Sequence, residues 1–237
     1  MRALQGETLL TAWERCGQQQ GLTRSLGLLL VAQAGGDSEE VAELPLAERN
    51  GLLLQLRAIS FGTKLEGYCV CQECGAKLEF EMDCRELLKQ QIPGQGQVWQ
   101  ESECEYRIRP ATTNDLLNCL NAENQREAKS ILLKRTVTML HQDPDSAYTE
   151  PRPDWIARFE AVNASAEIRL EVRCTECEAL SAVDLDIAEF LSTETMVAGK
   201  RLLADIHTLA STYGWSESAI AGMSNVRRQA YLSMIES

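Results

Sequence analysis

Cys71-Gln72-Glu73-Cys74 and Cys174-Thr175-Glu176-Cys177 are the two CxxC pairs that decide the fold of this 237-residue chain. Zinc prefers four soft ligands in a tetrahedron, and a CxxC at a tight turn places two thiolates on one side of the metal. Two such turns complete a closed shell, which leaves no position for a catalytic water. The pairs therefore predict one structural zinc per chain, bound by Cys71, Cys74, Cys174 and Cys177.

A weak internal repeat surrounds the two pairs. Residues 74–88, CGAKLEFEMDCRELL, and 177–191, CEALSAVDLDIAEFL, share a turn, a strand that alternates in polarity and an acidic helix entry. The segments before the turns, 64–70 and 167–173, read as strands, and 167–173 alternates cleanly, as a half-exposed strand does. We therefore expect two strand–CxxC–strand zinc-knuckle hairpins, each followed by a helix, that meet at one metal.

Other interpretations of the cysteines are open at this point. A thioredoxin-like redox site needs a CxxC at the start of a helix, whereas Gly75 and Glu178 lead into strands. A second alternative is two buried thiol pairs without a metal. Cys69 lies two residues before Cys71, on the same face of the expected strand, and is an alternative ligand. The scattered cysteines are expected to be small buried hydrophobes: Cys16, Cys84, Cys104 and Cys119.

The composition is that of a globular protein, with 44% hydrophobic and 24% charged residues. No apolar run approaches the ~18 residues that a membrane span needs, and the first residues, MRALQGETLL, lack the apolar core of a signal peptide. We therefore expect a cytoplasmic protein with reduced thiols. The formal net charge of -12 repels phosphate backbones and argues against nucleic-acid binding.

The rest of the chain is predicted to be mostly helical, which gives an α+β fold. Apolar residues begin helical faces in 9–13 and 26–32, and stripes with helical spacing follow in 52–59 and 202–213. We expect a hairpin within 98–109 and further helices over 127–140 and 187–191. The last helix has an apolar face of Val226, Ala230, Tyr231, Met234 and Ile235.

Five regions follow from this pattern. They are an N-terminal helical region (1–62), a first zinc knuckle and helix (63–92), a middle helical region with a short hairpin (93–165), a second zinc knuckle and helix (166–196) and the C-terminal helices (197–237).

The sequence offers little for catalysis. Its two histidines, His141 and His207, belong to no HExxH or His-x-Glu motif, and no phosphate-binding glycine loop or GxSxG is present. Acidic pairs are common, and none is singled out by its spacing. We therefore expect no enzymatic activity and no small-molecule substrate.

Several further segments are distinctive. They are Leu10-Thr-Ala-Trp13-Glu14-Arg15, residues 44–57 (LPLAERNGLLLQLR), residues 61–66 (FGTKLE) and a terminal stretch, 202–232, that contains Tyr213-Gly-Trp215-Ser216-Glu217, Arg227-Arg228 and Tyr231-Leu232. With the CxxC pairs, these segments resemble a family of baseplate-associated proteins of contractile phage tails and related injection systems, and are similar to the phage baseplate hub assembly chaperone type. The family often has proline where Gln72 and Thr175 stand, and Glu178 stands where the first unit has a glycine. The resemblance implies a structural or assembly role among other baseplate or tail proteins, with a place in a phage tail-like particle.

The C-terminal helices are the expected partner contact. Tyr213, Trp215 and Tyr231 supply aromatic side chains of the kind that often anchor interfaces. Arg227 and Arg228 are expected on a solvated helix face beside them, where they could pair with acidic groups of a partner. The alternative is that the aromatic residues only pack the two helices together. The alternative function is a zinc-ribbon nucleic-acid or transcription accessory module, which a continuous basic groove around the ribbon would favour.

Overall fold

Four helices form the N-terminal part of the chain. In the computed structural model, which describes residues 1–19, 21–33, 36–101, 104–140 and 152–235, they are α1 (Gly6–Gln18), α2 (Leu22–Gln33), α3 (Ser38–Ala42) and α4 (Leu46–Phe61). The side chain of Asp37 accepts a hydrogen bond from the Glu39 N–H and caps α3. Gly62, with a φ of 94°, follows α4 and directs the chain into the first strand.

The first CxxC pair lies in the connection between two antiparallel strands. β1 (Lys64–Val70) pairs with β2 (Lys77–Asp83), and α5 (Cys84–Leu88) follows. The register places Cys69 opposite Leu78. Exposed and buried residues alternate along both strands, because successive side chains of a strand point to opposite faces.

The middle region has its own small sheet and core. β3 (Gln97–Glu101), β4 (Cys104–Ile108) and β5 (Val137–Met139) form a three-stranded sheet in the order β3-β4-β5. Its helices are α6 (Thr113–Asn118), α7 (Gln125–Thr136) and α8 (Pro153–Asn163), and a 3-10 turn, Ala164–Ala166, follows. Trp99, Tyr106 and Trp155 pack against one another in its core.

The helix expected over 127–140 is wrong at its C-terminal end. α7 ends at Thr136, and the next three residues pair with β4. The β-branched run Thr136-Val137-Thr138 explains the change, because such residues are stiff in helices and fit well on a pleated sheet.

The second CxxC pair also connects antiparallel strands, β6 (Arg169–Arg173) and β7 (Leu180–Asp184). The chain continues with α9 (Ile187–Tyr213), α10 (Glu217–Ala221) and α11 (Asn225–Ile235). The separate helices expected over 187–191 and 202–213 are one continuous helix, so the region boundary expected at 196/197 falls inside α9. The Ser192 hydroxyl donates a hydrogen bond to the carbonyl of residue 188, and the Thr195 hydroxyl donates to that of residue 191. Both buried hydroxyls therefore have a hydrogen-bond partner within the helix.

One hydrophobic core joins the two ends of the chain. α1 packs against α2 and α9, and Gly199 allows a close approach, since a Cβ at that position would lie 2.4 Å from Cδ1 of Trp13. Leu65 and Ile168, at the bases of the two strand pairs, belong to the same core. The fold is therefore a mostly helical mixture of helices and sheets, as predicted. Within the described ranges, no helix has both the length and the apolar character needed to cross a membrane.

Candidate metal centre

Four thiols from the two strand connections converge on one point. The Sγ atoms of Cys71, Cys74, Cys174 and Cys177 all lie within 4.8 Å of one another. Cys71 Sγ is 3.7 Å from Cys177 Sγ, and Cys74 Sγ is 3.6 Å from Cys174 Sγ. A tetrahedral zinc with Zn–S bonds of about 2.3 Å requires neighbouring sulfurs to be about 3.8 Å apart. The four cysteines could therefore hold a metal ion.

The two turns use the same backbone hydrogen bonds. Cys71 N–H donates to the Ala76 carbonyl at 2.9 Å, and Gly75 N–H donates to the Cys71 carbonyl at 3.0 Å. In the second turn, Cys174 N–H donates to the carbonyl of residue 179 at 2.8 Å, and Glu178 N–H donates to the Cys174 carbonyl at 3.0 Å. The residue after the second cysteine is left-handed in both, with φ of 74° at Gly75 and 60° at Glu178. Each turn thus directs its two thiols to the same side.

The electrostatics of the cluster favour a cation. Hydrogen bonds from the backbone N–H groups of Cys74 and Glu73 lower the pKa of Cys71 to about 6. A hydrogen bond from the backbone N–H of Ala179 also lowers the pKa of Cys177. The neighbouring thiols and desolvation outweigh it and raise that pKa to about 12. One thiol of the cluster therefore ionises readily, while another resists ionisation beside the first charge. A divalent cation removes that resistance, because metal binding favours deprotonated thiols.

The remaining cysteines lie apart from this cluster. Cys69 is half-buried on β1 and packs with the apolar residues beneath the four thiols, but it is not one of them. Burial raises the pKa of the Cys16 and Cys84 thiols. Cys104 is buried as well, and Cys119 is half-buried. Of the histidines, His207 is exposed on α9 and His141 lies outside the described residues.

The aromatic residues expected to contact a partner pack against one another. Tyr213 stacks on Trp215 with ring centroids 4.6 Å apart, and Trp215 meets Tyr231 edge-on at 4.9 Å. These contacts join the end of α9 to α11. Tyr213 keeps 38% of its surface exposed, and the Arg227 guanidinium lies 5.8 Å from the centre of the Tyr231 ring. The structure thus brings four of the five predicted contact residues together.

The fifth residue, Arg228, does not lie on a solvated helix face as expected. It is buried, and its Nη1 donates to the Met223 carbonyl at 2.6 Å. The apolar face of α11 divides between buried and exposed positions. Three residues of the apolar face named from the sequence are exposed: Val226, Ala230 and Met234. The polar interior position of Arg228 has a physical reason, because Asp205 of α9 lies opposite it at 3.7 Å.

Comparison with known proteins finds similarity over part of the chain. Residues 30–98 match the model of a family described as T4 bacteriophage base plate protein. The match supports a phage baseplate protein. It runs from the end of α2 to the start of β3 and includes residues 44–57 and 61–66, which carry part of the resemblance. No curated protein and no solved structure matches the chain.

Proposed function

We propose that this chain is a non-enzymatic assembly protein of a contractile phage tail-like baseplate, of the hub assembly chaperone type, with a fold held by one structural zinc. The observation that supports the baseplate role is the family match over residues 30–98. The finer assignment to the chaperone type depends on the residues of the terminal stretch, 202–232, which lie beyond that match.

The convergence of four thiols supports the structural zinc. Two ligands come from each strand pair, and Cys74 and Cys174 are 100 positions apart in the chain. A closed shell of four thiolates has no open position for water or substrate, so the metal would stabilise the fold and not catalyse a reaction. Leu78 and Cys69 pack against the thiols of Cys71 and Cys174. The bases of both strand pairs lie in the main core. Zinc would therefore hold together two distant parts of one body.

Metal analysis tests the zinc. The purified protein is expected to contain about one zinc per chain, and Cys71→Ser/Cys174→Ser is expected to lose it and to melt at a lower temperature. Cys119→Ser is the matched control, since Cys119 is half-buried and lies outside the cluster. Full zinc content in the double variant would refute the ligand assignment.

Deletion of the gene from a phage or injection system that encodes this protein tests the baseplate role. The expected result is particles without complete baseplates in electron micrographs, restored by the wild-type gene in trans. Mass spectrometry of restored particles then separates an assembly chaperone, which leaves, from a structural subunit, which stays. Normal baseplates after deletion would contradict the proposed function, whatever the metal content.

A further inference from the structure

A groove separates the second strand of the first CxxC unit from the first strand of the second unit. Residues 77–82 of β2 line one side, residues 169–173 of β6 line the other, and β7 contributes none of the lining. Three apolar side chains in this lining are only half-buried: Phe80, Met82 and Val172. The groove therefore has an apolar floor that the described residues cover only in part.

The backbone of β2 presents unpaired groups at this groove. Cys71 N–H donates to the carbonyl of residue 76 at the turn, and Cys84 N–H donates to the Thr63 carbonyl at the base. Hydrogen-bonded and non-hydrogen-bonded pairs alternate in an antiparallel ladder, and both ends give the same phase. By this alternation, three residues direct their backbone N–H and C=O groups away from β1: Lys77, Glu79 and Glu81. In the part of the chain that the structure describes, β2 pairs with β1 alone, so this edge is open to a further strand.

The charges on the edge select what can pair with it. Lys77 and Arg173 line the metal end of the groove, and Glu79 follows Lys77 by two residues. Among the described residues, none of these three forms an ion pair, whereas Glu81 already pairs with Lys64 at 2.6 Å. Opposite charges in directly facing positions stabilise a strand pair. An added strand therefore gains from an acidic side chain opposite Lys77 and from a basic one opposite Glu79.

The edge of β6 is the poorer template. Arg169 on that strand already pairs with Glu167 and Asp184, each at 3.1 Å. β6 also has five residues where β2 has seven. The edge of β2 thus offers the longer row of backbone groups together with unused charges.

We propose that the free edge of β2 binds an extended segment of a partner protein as an added antiparallel strand. A basic residue of the segment faces Glu79, and an acidic residue two positions later faces Lys77 and lies at the same end of the groove as Arg173. Apolar residues at the alternate positions cover the floor at Leu78 and Phe80. Since β2 runs away from the metal end, the segment runs towards it, and its order is basic, apolar, acidic. That the partner is a tail protein rests on the proposed function.

The first experiment uses the peptide Ac-Thr-Val-Lys-Val-Asp-NH2 as the probe. Its titration into the ¹⁵N-labelled full chain is expected to shift the amide resonances of Lys77, Glu79 and Glu81 in a saturable way. The resonance of Glu66, on the opposite strand edge, should not move. The control Ac-Thr-Val-Asp-Val-Lys-NH2 has the same composition with the charges exchanged and is expected to bind at least about threefold more weakly. Equal affinity would overturn the charge assignment, and no saturable shift with either peptide would overturn the site.

Two methylated peptides test the strand pairing itself. The lysine of the probe faces Glu79 and exchanges backbone hydrogen bonds with it, whereas the N–H of the next valine points away from β2. N-methylation of the lysine is therefore expected to weaken binding at least about fivefold. N-methylation of that valine is expected to leave the affinity nearly unchanged. Equal losses for the two peptides would show that the segment does not add as a strand, and would refute the proposal.

Exchange of the charges on the protein locates the contact. Lys77→Glu/Glu79→Lys is expected to reverse the preference, so that the charge-exchanged peptide becomes the tighter ligand. Ala182→Lys is the matched control, because Ala182 is exposed at the position equivalent to Glu79 on β7, which lines no part of the groove. An unchanged preference in the exchange variant would show that the peptides bind elsewhere. The peptide series on wild type tests the pairing without any variant.

Co-purification with tail proteins expressed from the neighbouring genes completes the test. Lys77→Glu/Glu79→Lys is expected to lose the partner that wild type and Ala182→Lys retain, while zinc analysis gives the same content for all three. If the exchange variant reverses the peptide preference but retains the partner, this edge is not the contact and the inference is wrong. The peptide experiments need no particle, so their failure is distinguishable from failure of the baseplate role.

Discussion

The first and second CxxC units share one backbone but carry different side chains. Both pair their strands in the same register, with Cys69 opposite Leu78 in the first and Val172 opposite Ser181 in the second. Both turns use the same hydrogen bonds and end in a left-handed residue. The common backbone is sufficient to direct two thiols to one point, so the geometry of the site depends on the turn and tolerates different residues around it.

The differences lie beside the turns. Gly75 occupies the left-handed position in the first unit and Glu178 in the second. α5 ends after five residues, whereas α9 continues for 27 through the main core. The first unit thus has the relaxed turn and the short helix, and the second has the strained turn and the long helix. Both units enter the main core, through Leu65 and Leu87 in the first and Leu170 and Ile187 in the second, so the contrast lies in the turn and in the length of the helix.

The largest expected effect concerns the thiols. Cys174→Ser is expected to reduce zinc content to near zero, because Val172 stands where the first unit has Cys69. Cys71→Ser is expected to retain a measurable fraction, with Cys69 as the replacement ligand. Zinc analysis and the melting temperature of both variants measure the contrast. Cys69→Ser/Cys71→Ser is the control and should resemble Cys174→Ser; equal zinc loss in the two single variants would show that Cys69 does not substitute.

Substitutions at the two left-handed positions, Gly75 and Glu178, should change the free energy of unfolding by less, and with opposite signs in the two units. Gly75→Ala introduces a Cβ at positive φ without a steric contact, since no atom lies within 4 Å, and should destabilise by about 1–2 kcal/mol. Glu178→Gly removes the same kind of strain and should stabilise by up to about 1 kcal/mol. Each kcal/mol corresponds to roughly 2–4 °C in melting temperature for a chain of this size. A lower melting temperature for Glu178→Gly would mean that its side chain contributes more than the strain costs.

The smallest expected effect is an acid sensitivity that Arg85 gives to Asp83 of the first unit. The side chain and backbone N–H of Arg85 hydrogen-bond to Asp83 and lower its pKa to about 2. In the second unit Asp186 is equivalent to Asp83, and Ala188 stands where the first unit has Arg85. A depressed carboxyl pKa stabilises the folded state above the unfolded pKa of about 4, and this contribution is lost as the pH falls towards 2. The stability difference between wild type and Asp83→Asn should therefore shrink from pH 7 to pH 3 in urea unfolding. Any zinc bound as proposed would leave both proteins in acid, because metal binding needs deprotonated thiols. Only the difference between the two proteins is therefore diagnostic, and a constant difference would contradict the assigned cause.

The sequence predicted the features that short-range patterns determine. The CxxC spacing identified the four clustered thiols, and alternation identified the flanking strands. Prediction from the sequence failed where contacts between distant residues determine the structure. The helix over 187–213 was predicted as two pieces, and the packing of Trp13 against Gly199 is a contact between distant parts of the chain that no local pattern shows. Arg228 was expected in solvent, because no local pattern shows that it pairs with Asp205 of α9, 23 positions earlier in the chain. The space enclosed between α1, α4, α9 and α11 has no sequence signal, since helices distant in the chain line it.

The long separation of the thiol pairs also sets an order of events during synthesis. Cys71 and Cys74 leave the ribosome 100 residues ahead of their partners, measured from Cys74 to Cys174. At about 5–20 residues per second, the first pair waits roughly 5–20 s with only half of a coordination shell. During that interval the nascent chain can hold a metal with two thiolates at most. A shell of four thiolates can therefore form only after the second pair has been synthesised, and α9, which packs against α1, follows that pair in the chain.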